Sequence, residues 1–362
     1  MHISISINGD GSLIESGLKR IGAHSMRKTK YQIDMKILIT GVHGFVGSNL
    51  VTYLAPANEI LGLDIVAPEK AGVVKTFSWE DLDAGRVPEV DAIIHLAGKA
   101  HDTKNQAAAE VYFKVNTGLT QKIYDYFLAS PSARKFIFFS TAKAAADRVD
   151  GVLTEDVVPA PVGPYGESKI RAEEYIRASE VWKEMPDQVG HDGDGAGHDG
   201  GKQVYILRPC MIHGPGNKGN LNLLYNVVRK GIPWPLGAFE NRRTFTSVEN
   251  ICFAVNGLLT RDVPTGIYNM GDDEALSTNE LIKEICASLG KKAHIWRLPK
   301  GMMTGIARVG GWLHLPLDPE RLRKLTEDYV SSNAKIKAAL GVDRMPVEAR
   351  EGLRRTLESF KD

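Results

Sequence analysis

Cysteine is scarce in this sequence, with only three in 362 residues. Cys210, Cys252 and Cys286 lie far apart and form no Cys-x-x-Cys pair, so the sequence indicates neither a disulfide framework nor a cysteine-based zinc site. We interpret all three as small, buried apolar residues. This usage is typical of a reducing compartment, and we therefore expect the protein to be cytoplasmic.

An excess of one charge and long apolar runs are also lacking. Lysine and arginine number 45 and aspartate and glutamate number 44, so the formal net charge is +1 and nothing indicates a polyanion-binding surface. No run is long and apolar enough to cross a membrane, and residues 1–34 lack the apolar core of a signal peptide. We therefore expect neither a nucleic acid nor a membrane as a partner.

Two segments are predicted to be disordered. Residues 1–34 are of mixed composition with little apolar surface to bury, which favours a disordered extension before Met35; the alternative is a short ordered arm. Residues 188–201 are rich in glycine, aspartate and histidine, which favours a flexible surface insertion. Their spacing fits neither an EF-hand loop nor a zinc-binding helix, so we predict no metal.

From Met35 onward, short apolar runs alternate with segments of helical periodicity. Apolar strands separated by helices indicate a parallel sheet that is covered on both faces. Beyond Arg208 the alternation weakens and helices predominate. We predict strands at residues 36–40, 59–64, 92–96, 135–140 and 203–207, and helices at residues 45–54, 112–129, 165–179, 278–289, 320–325 and from 332 to the end.

The predicted fold class is α/β, a Rossmann-like doubly wound parallel sheet with a smaller, mostly helical domain. We place the sheet domain at residues 35–207 and the smaller domain mainly at residues 208–362. Parts near residues 245–271 are expected to return to the first domain.

A glycine-rich loop joins the first predicted strand to the first predicted helix. Gly41 permits a tight turn, Gly44 lets backbone approach a pyrophosphate, and Gly47 lets the helix and strand pack closely. Phe45 and Val46 form the start of this helix, and its N-terminus is expected to face the phosphates of the dinucleotide. The strand–turn–helix context of this loop predicts dinucleotide binding.

Asp64 ends the second predicted strand. A carboxylate at this position can accept hydrogen bonds from both adenosine ribose hydroxyls and would repel a 2′-phosphate. The residue therefore favours NAD over NADP as the cofactor. The alternative is an ordinary carboxylate in a turn at the end of a strand.

A tyrosine and a lysine complete the set of motifs. Tyr165 and Lys169 are four residues apart on a predicted helix, so their side chains share one face, and Thr141 follows a strand at the edge where doubly wound sheets bind ligands. Together with the glycine-rich loop, these residues resemble the extended short-chain dehydrogenase/reductase family. The sequence is most similar to the nucleotide-sugar epimerase branch, of the UDP-glucose 4-epimerase kind, from Met35 to the C-terminus apart from the insertion.

The resemblance implies catalytic roles. Tyr165 would be the acid and base, Lys169 would hold the nicotinamide ribose, and Thr141 would hydrogen-bond the reacting oxygen, with Ser140 as its substitute if the register differs by one. A free phenol has a pKa near 10 and is a poor base at neutral pH. The ammonium of Lys169 and a cationic nicotinamide would favour the phenolate.

The resemblance also implies residues that bind the cofactor outside the catalytic motif. The predicted strand at residues 92–96 ends in the segment Leu96, Ala97 and Gly98. In the family, the end of the corresponding strand faces the cofactor. Asn116 matches a helix residue that orients active-site backbone. His95 is expected to be structural.

On the substrate side, the resemblance implies a nucleotide sugar, most simply one linked to UDP. Asn220 and Arg243 match the family residues that hold the nucleotide diphosphate, and a guanidinium suits bidentate phosphate contacts. Met211 stands where many 4-epimerases have an asparagine, which leaves the sugar open. The family further implies a homodimer formed through two helices of each subunit.

Two reactions stay open. The family's dehydratases carry an Asp-Glu pair after the catalytic threonine, and Ala142-Lys143 stands here, so dehydration is not predicted. An epimerase would invert C4 of a UDP-hexose or UDP-N-acetylhexosamine through a transient 4-keto sugar. An NAD(P)H-dependent reductase would act on a UDP-4-keto-6-deoxy-N-acetylhexosamine in polysaccharide biosynthesis. Asp64 favours NAD and hence the epimerase; a non-catalytic NAD-binding sensor or scaffold would typically lack Tyr165 or Lys169.

Overall fold

The computed structural model describes residues 34–99, 108–184, 201–217, 219–313 and 317–361. The extension predicted before Met35 lies outside the described residues except for Asp34. The insertion predicted at residues 188–201 lies outside them except for Gly201.

The strands follow the apolar runs of the sequence. They are β1 (Lys36–Thr40), β2 (Glu59–Leu63), β3 (Lys75–Phe77), β4 (Ala92–His95), β5 (Lys135–Phe139), β6 (Val152–Leu153), β7 (Gln203–Pro209), β8 (Met211–His213), β9 (Phe245–Ser247), β10 (Gly266–Met270) and β11 (Val330–Ser331). Each of the five strands predicted from the sequence is present, with ends that differ by two residues at most.

The helices fill the intervals between these strands and most of the C-terminal third. They are α1 (Phe45–Leu54), α2 (Trp79–Asp83), α3 (Ala109–Tyr112), α4 (Leu119–Ala129), α5 (Ala142–Ala145), α6 (Pro164–Arg177), α7 (Glu180–Lys183), α8 (Asn220–Arg229), α9 (Val248–Thr260), α10 (Thr278–Ser288), α11 (Lys300–Trp312), α12 (Pro319–Thr326), α13 (Ala334–Ala339) and α14 (Ala349–Glu358). Residues Phe113–Gly118 join α3 to α4 as a π-helical segment.

Seven parallel strands form the main sheet, in the order β10-β7-β5-β4-β1-β2-β3. From β1 the chain proceeds outward through β2 and β3, then returns to β4 on the other side of β1. The strand order thus reverses between β1 and β4, which is where doubly wound sheets bind ligands outside the carboxyl ends of their strands. The predicted Rossmann-like α/β fold is confirmed.

Both faces of the sheet are buried, as the continuous apolar strands predict. Ile37 and Ile39 face a core shared with α1 and α9, whereas Leu38 between them faces a core shared with α4 and α6. Successive side chains of a strand point to opposite faces, so one short strand contributes to both cores. A third apolar core joins α8, α10, α11, α12 and α14.

Several departures from the sequence prediction concern helices. The helix predicted from residue 332 to the end is divided into α13 and α14, and α11 was not predicted. Helix α9 was not predicted, because it is buried on most sides and only Glu249, Asn256 and Thr260 form a narrow polar stripe. The helix predicted at residues 112–129 contains the π-helical segment, whose wider turn no periodicity of side chains reveals. The boundary between the two predicted domains stays a prediction, although β10 completes the main sheet.

Candidate active site and cofactor cleft

The predicted cofactor and catalytic residues lie at one edge of the sheet. Gly41 follows β1, Asp64 follows β2, and the segment from Leu96 to Gly98 follows β4. Thr141 comes two residues after the end of β5. Because the strands are parallel, these positions meet along the carboxyl edge, on both sides of the point where the strand order reverses.

The glycine-rich loop is built around close backbone contacts. Gly41 has φ +69°, and a Cβ added there would lie 3.0 Å from the backbone nitrogen of Ala97. A Cβ at Gly47 would lie 2.5 Å from the carbonyl oxygen of Gly41. These glycines therefore let α1 and the end of β4 approach the loop. The exposed Gly44 is the N-cap of α1 and has no side chain to satisfy the helix's first N–H groups, which suits an anionic ligand.

Asp64 is held beside this loop. Its Oδ2 accepts a hydrogen bond from the backbone nitrogen of His43 at 3.1 Å, and its Oδ1 accepts one from the backbone nitrogen of Ile65 at 2.8 Å. Because His43 belongs to the glycine-rich loop, this hydrogen bond holds the Asp64 carboxylate and the loop in a fixed relative position. Each oxygen keeps acceptor capacity for a further donor.

A buried chain of hydrogen bonds supports the loop after β4. The backbone nitrogen of Ala97 donates to Thr40 Oγ1 at 3.0 Å, and Thr40 Oγ1 lies 2.7 Å from His95 Nδ1. His95 Nε2 lies 2.9 Å from Thr120 Oγ1, which donates to the carbonyl oxygen of Asn116 at 2.6 Å. Burial holds the pKa of His95 well below its usual value. His95 is therefore neutral, with its proton on Nε2, and its role is structural.

Asn116 connects the loop after β4 to the helix that carries Tyr165. Its Oδ1 accepts from the backbone nitrogen of Lys99 at 2.7 Å, and its Nδ2 donates to Ser168 Oγ at 3.0 Å. Ser168 Oγ in turn donates to the carbonyl oxygen of Tyr165 at 2.9 Å. Asn116 lies in the π-helical segment, and such segments are frequent at functional sites.

Lys169 is buried between β5 and the loop after β4. Its Nζ donates to the carbonyl oxygen of Phe139 at 2.8 Å and lies 4.9 Å from the ring centre of Phe138. Burial lowers the pKa of Lys169 to about 8, and the carboxylate of Glu173 acts in the opposite direction. A Cβ at Gly98 would lie 3.0 Å from Asn116 Oδ1 and 3.2 Å from Lys169 Nζ, so glycine lets the loop pass close to both side chains.

Thr141 and Tyr165 come together although 24 residues separate them in the sequence. Burial raises the pKa of the Tyr165 phenol, and a hydrogen bond from the Thr141 side chain acts in the opposite direction. The ring of Tyr112 meets the Tyr165 ring edge-on, with 6.3 Å between the centroids. The protein without its cofactor therefore favours the neutral form of the Tyr165 phenol, and the hydroxyl of Thr141 is hydrogen-bonded to it.

The two residues predicted to hold the diphosphate belong to the part of the chain beyond β7. Asn220 is exposed at the first position of α8. Arg243 donates through its Nη1 to the carbonyl oxygen of Lys324 and lies close enough to Cys210, just beyond β7, for their charges to interact.

Comparison with known proteins agrees with this geometry. A model of the NAD dependent epimerase/dehydratase family matches residues 37–271. The chain belongs to this family. It is accordingly an enzyme with NAD as its cofactor, as the glycine-rich loop and the residue after β2 predicted.

Relatives within the epimerase/dehydratase family include sugar epimerases. The chain is 28% identical over 286 residues to the UDP-glucose 4-epimerase of Vibrio cholerae, which covers 74% of this chain and 79% of that protein. It is 26% identical over 277 residues to the N-acetyl-alpha-D-glucosaminyl-diphospho-ditrans,octacis-undecaprenol 4-epimerase of Escherichia coli O157:H7, which covers 74% of this chain and 77% of that protein. The solved structure of MoeE5 in complex with UDP-glucuronic acid and NAD has a TM-score of 0.67 at 20% identity, covering 90% of this chain and 99% of that one.

One buried group of this epimerase/dehydratase was not predicted from its sequence. Ser140 donates to Glu173 Oε1, and Glu173 pairs with Arg208 at 2.5 Å between Oε2 and Nη2. Ser140 therefore points away from Tyr165, and the structure pairs the tyrosine with Thr141 instead. The position of Glu173, four residues after Lys169 on α6, was the available signal.

Proposed function

We propose that this enzyme is an NAD-dependent nucleotide-sugar epimerase that inverts C4 of a UDP-hexose or UDP-N-acetylhexosamine through a transient 4-keto sugar. The observation that carries the proposal is the continuous set of contacts from the cofactor loop to the catalytic pair. Gly41 packs against Ala97 of the loop after β4. Gly98, the next residue of that loop, packs against Lys169. Tyr165, one turn before Lys169, is hydrogen-bonded to Thr141.

The proposed chemistry divides between the cofactor and the side chains. When bound, NAD supplies a hydride acceptor that returns the hydride to the other face of the same carbon. Tyr165 accepts the proton of the C4 hydroxyl as hydride leaves C4, and later donates it back. Thr141 hydrogen-bonds the reacting oxygen, and Lys169 holds the nicotinamide ribose.

The raised pKa of Tyr165 sets a condition on this role. Burial disfavours the phenolate in the chain alone. Positive charge close to the phenol must therefore lower the pKa before Tyr165 can act as a base near neutral pH. The oxidised nicotinamide and the ammonium of Lys169 are the two charges proposed to do so, which links base activation to cofactor binding.

UDP-linked sugars are the proposed substrate class because sugar epimerases are among the relatives and a neighbouring fold binds UDP-glucuronic acid with NAD. We assign Asn220 and Arg243 to the diphosphate. We also propose that residues 208–362 mainly form the substrate-binding domain and that the enzyme is a homodimer.

The reductase is the second candidate. Met211, at the start of β8, replaces an asparagine that many 4-epimerases place near the sugar. An apolar thioether there would accept a 6-deoxy sugar better than a hydroxyl-rich one, since it offers no strong hydrogen bond.

One experiment separates these candidates. Protein as purified is denatured to release bound nucleotide, and native protein is incubated with UDP-N-acetylglucosamine or UDP-glucose without added cofactor. Co-purified NAD and a C4-inverted product are expected. Oxidation of added NAD(P)H by a UDP-4-keto-6-deoxy sugar, without inversion, would instead make the enzyme a reductase; bound NAD without turnover of any of these sugars would make it a sensor or scaffold.

A further inference from the structure

One helix of the C-terminal region presents apolar side chains on two sides. Met303 and Ala307 of α11 point into the third core. A second stripe lies on the outside of the helix, where apolar side chains recur every three or four residues: Met302, Ile306, Val309 and Leu313. Trp312 lies beside this stripe. These five side chains are between 44% and 80% exposed, and Trp296, shortly before the helix, is 54% exposed.

The segment that contains this apolar stripe is rich in positive charge, although Asp318, which is paired with Arg321, follows at its C-terminal end, with its Cβ 3.9 Å from a Cβ added at Gly311. Residues 291–317 contain no aspartate or glutamate, although the whole chain is almost neutral. They contain five exposed cations, Lys291, Lys292, Arg297, Lys300 and Arg308. Within the described residues, none of the five has a carboxylate within salt-bridge distance. The segment therefore combines an exposed apolar stripe with five exposed cations that form no salt bridge among the described residues.

We infer that this surface, the apolar stripe of α11 with Trp296 and its five flanking cations, docks on an anionic phospholipid bilayer. Helices that lie in the membrane interface combine an apolar face with lysine and arginine at its border, and tryptophan is enriched at that depth. In the described part of the chain, no helix has the length and apolarity to span a bilayer, so the contact is peripheral. It departs from our expectation that the protein has no membrane partner.

Charge argues against a second copy of the chain as the occupant. In a two-fold contact the same surface meets itself, so the five cations of one subunit would face five of the other without a counter-charge. An anionic headgroup layer supplies that counter-charge and also accepts the apolar side chains beneath it.

The docking surface lies one helix away from a cavity next to the catalytic segment. A Cβ at Gly311 of α11 would lie 3.1 Å from Pro319 Cδ at the start of α12, so the two helices pack closely. Arg323 of α12 lines a cavity of about 780 Å³ together with Ala146 and Ala160, which follow the catalytic Thr141. Docking would thus hold this cavity close to the lipid surface.

The test is sedimentation of the full chain with vesicles of phosphatidylcholine alone or mixed with phosphatidylglycerol. Binding is expected only with phosphatidylglycerol, weakening as salt rises, with a blue shift of tryptophan emission. Replacing both Arg297→Gln and Arg308→Gln should weaken binding roughly 30-fold, at the free energy typical of a cation at such a surface. The matched control, Arg177→Gln with Lys361→Gln, should bind as the unaltered chain does.

A second pair of variants tests the apolar stripe. Val309→Ser should weaken vesicle binding, whereas Val158→Ser, at a valine that is 84% exposed outside the docking surface, should not. Circular dichroism and thermal denaturation that match the unaltered chain show that each variant is folded, independently of the reaction. The inference would be overturned if the chain did not bind phosphatidylglycerol vesicles, or if each variant and its control changed binding equally. It would also be overturned if the chain formed a dimer that Val309→Ser dissociates. These outcomes do not depend on which reaction the enzyme catalyses.

Discussion

Glu173 and Arg208 form an ion pair whose side chains are 0% and 1% exposed, and Glu173 contacts Ser140, the residue before the proposed catalytic Thr141. Two hydrogen bonds from Arg208 Nε and one from Nη2 reach the carboxylate, which also accepts from Ser140. The pair joins α6 to β7 and, through Ser140, to the end of β5. It therefore fixes the distance between Tyr165 on α6 and Thr141 after β5.

Breaking this pair should destabilise the fold. Glu173→Ala leaves the Arg208 guanidinium buried without its partner, which typically costs about 3–5 kcal/mol of unfolding free energy. Urea denaturation measures the loss. Glu180→Ala removes the exposed pair with Lys183 and should change stability by less than about 0.5 kcal/mol. Similar losses in the two variants would contradict the assigned role of the buried pair.

Tyr165→Phe should remove turnover while leaving bound NAD in place. The substitution deletes the hydroxyl proposed to carry the C4 proton, and such groups contribute roughly 10²- to 10⁴-fold in rate. Tyr175→Phe is the matched control, since this tyrosine lies on the same helix and its hydroxyl donates to Asp125 instead. Epimerisation assays on both variants decide the matter; substantial activity in Tyr165→Phe would exclude the phenol as acid and base.

The buried Lys169 should make stability depend on alkaline pH. Its folded pKa of about 8 lies below the usual value of 10.5, so the unfolded chain holds more protons between these values and stability contributed by this residue rises with pH there. The rise should be on the order of 3 kcal/mol. We expect the unaltered chain to gain stability over Lys169→Met between pH 8 and 10.5 in urea titrations. A constant difference across that window would show that the pKa of Lys169 is not lowered.

Gly47→Ala should disrupt the cofactor loop. The added methyl group would lie 2.5 Å from the Gly41 carbonyl oxygen, so the loop must shift, with an expected loss of about 1–3 kcal/mol and of co-purified NAD. Gly305→Ala, in the interior of α11 with no atom within 4 Å of the new methyl, should instead stabilise by about 0.5–1 kcal/mol. Thermal denaturation and released nucleotide measure both; retention of NAD by Gly47→Ala would refute the loop geometry.

Asp64→Asn should reduce the preference for NAD. The hydrogen bonds that we propose between the ribose hydroxyls and this carboxylate would lose their charged acceptor, and hydrogen bonds to charged groups contribute about 1.5–3 kcal/mol. Affinity for NAD should therefore fall by roughly ten- to a hundredfold, while NADP, no longer repelled, should bind more tightly. Calorimetric titration of protein freed of nucleotide tests this, with the exposed Asp83→Asn as the control. Unchanged selectivity would leave Asp64 as a residue that only holds His43.

The sequence was most informative where function depends on neighbours in the chain. The glycines at 41, 44 and 47 and the spacing of Tyr165 and Lys169 are local patterns, and their strand–turn–helix and helical contexts are present in the structure. Strand positions were also predictable, because buried parallel strands require continuous apolar runs. The choice between Thr141 and Ser140 was a local ambiguity; Ser140 is hydrogen-bonded to Glu173, which favours Thr141, and the assignment stays a prediction.

What the sequence by itself determined is therefore the α/β class, the strand–turn–helix context of the glycine-rich loop, and the placement of Tyr165 and Lys169 on one helix. The tertiary structure alone decided that Asn116 reaches Ser168, that Glu173 meets Arg208, and that α11 keeps an apolar stripe in solvent. The physical reason is the distance along the chain over which each interaction acts. Helical and strand periods act over a few residues, whereas these contacts span 35 residues or more, and exposure of a stripe depends on which other helices pack against it.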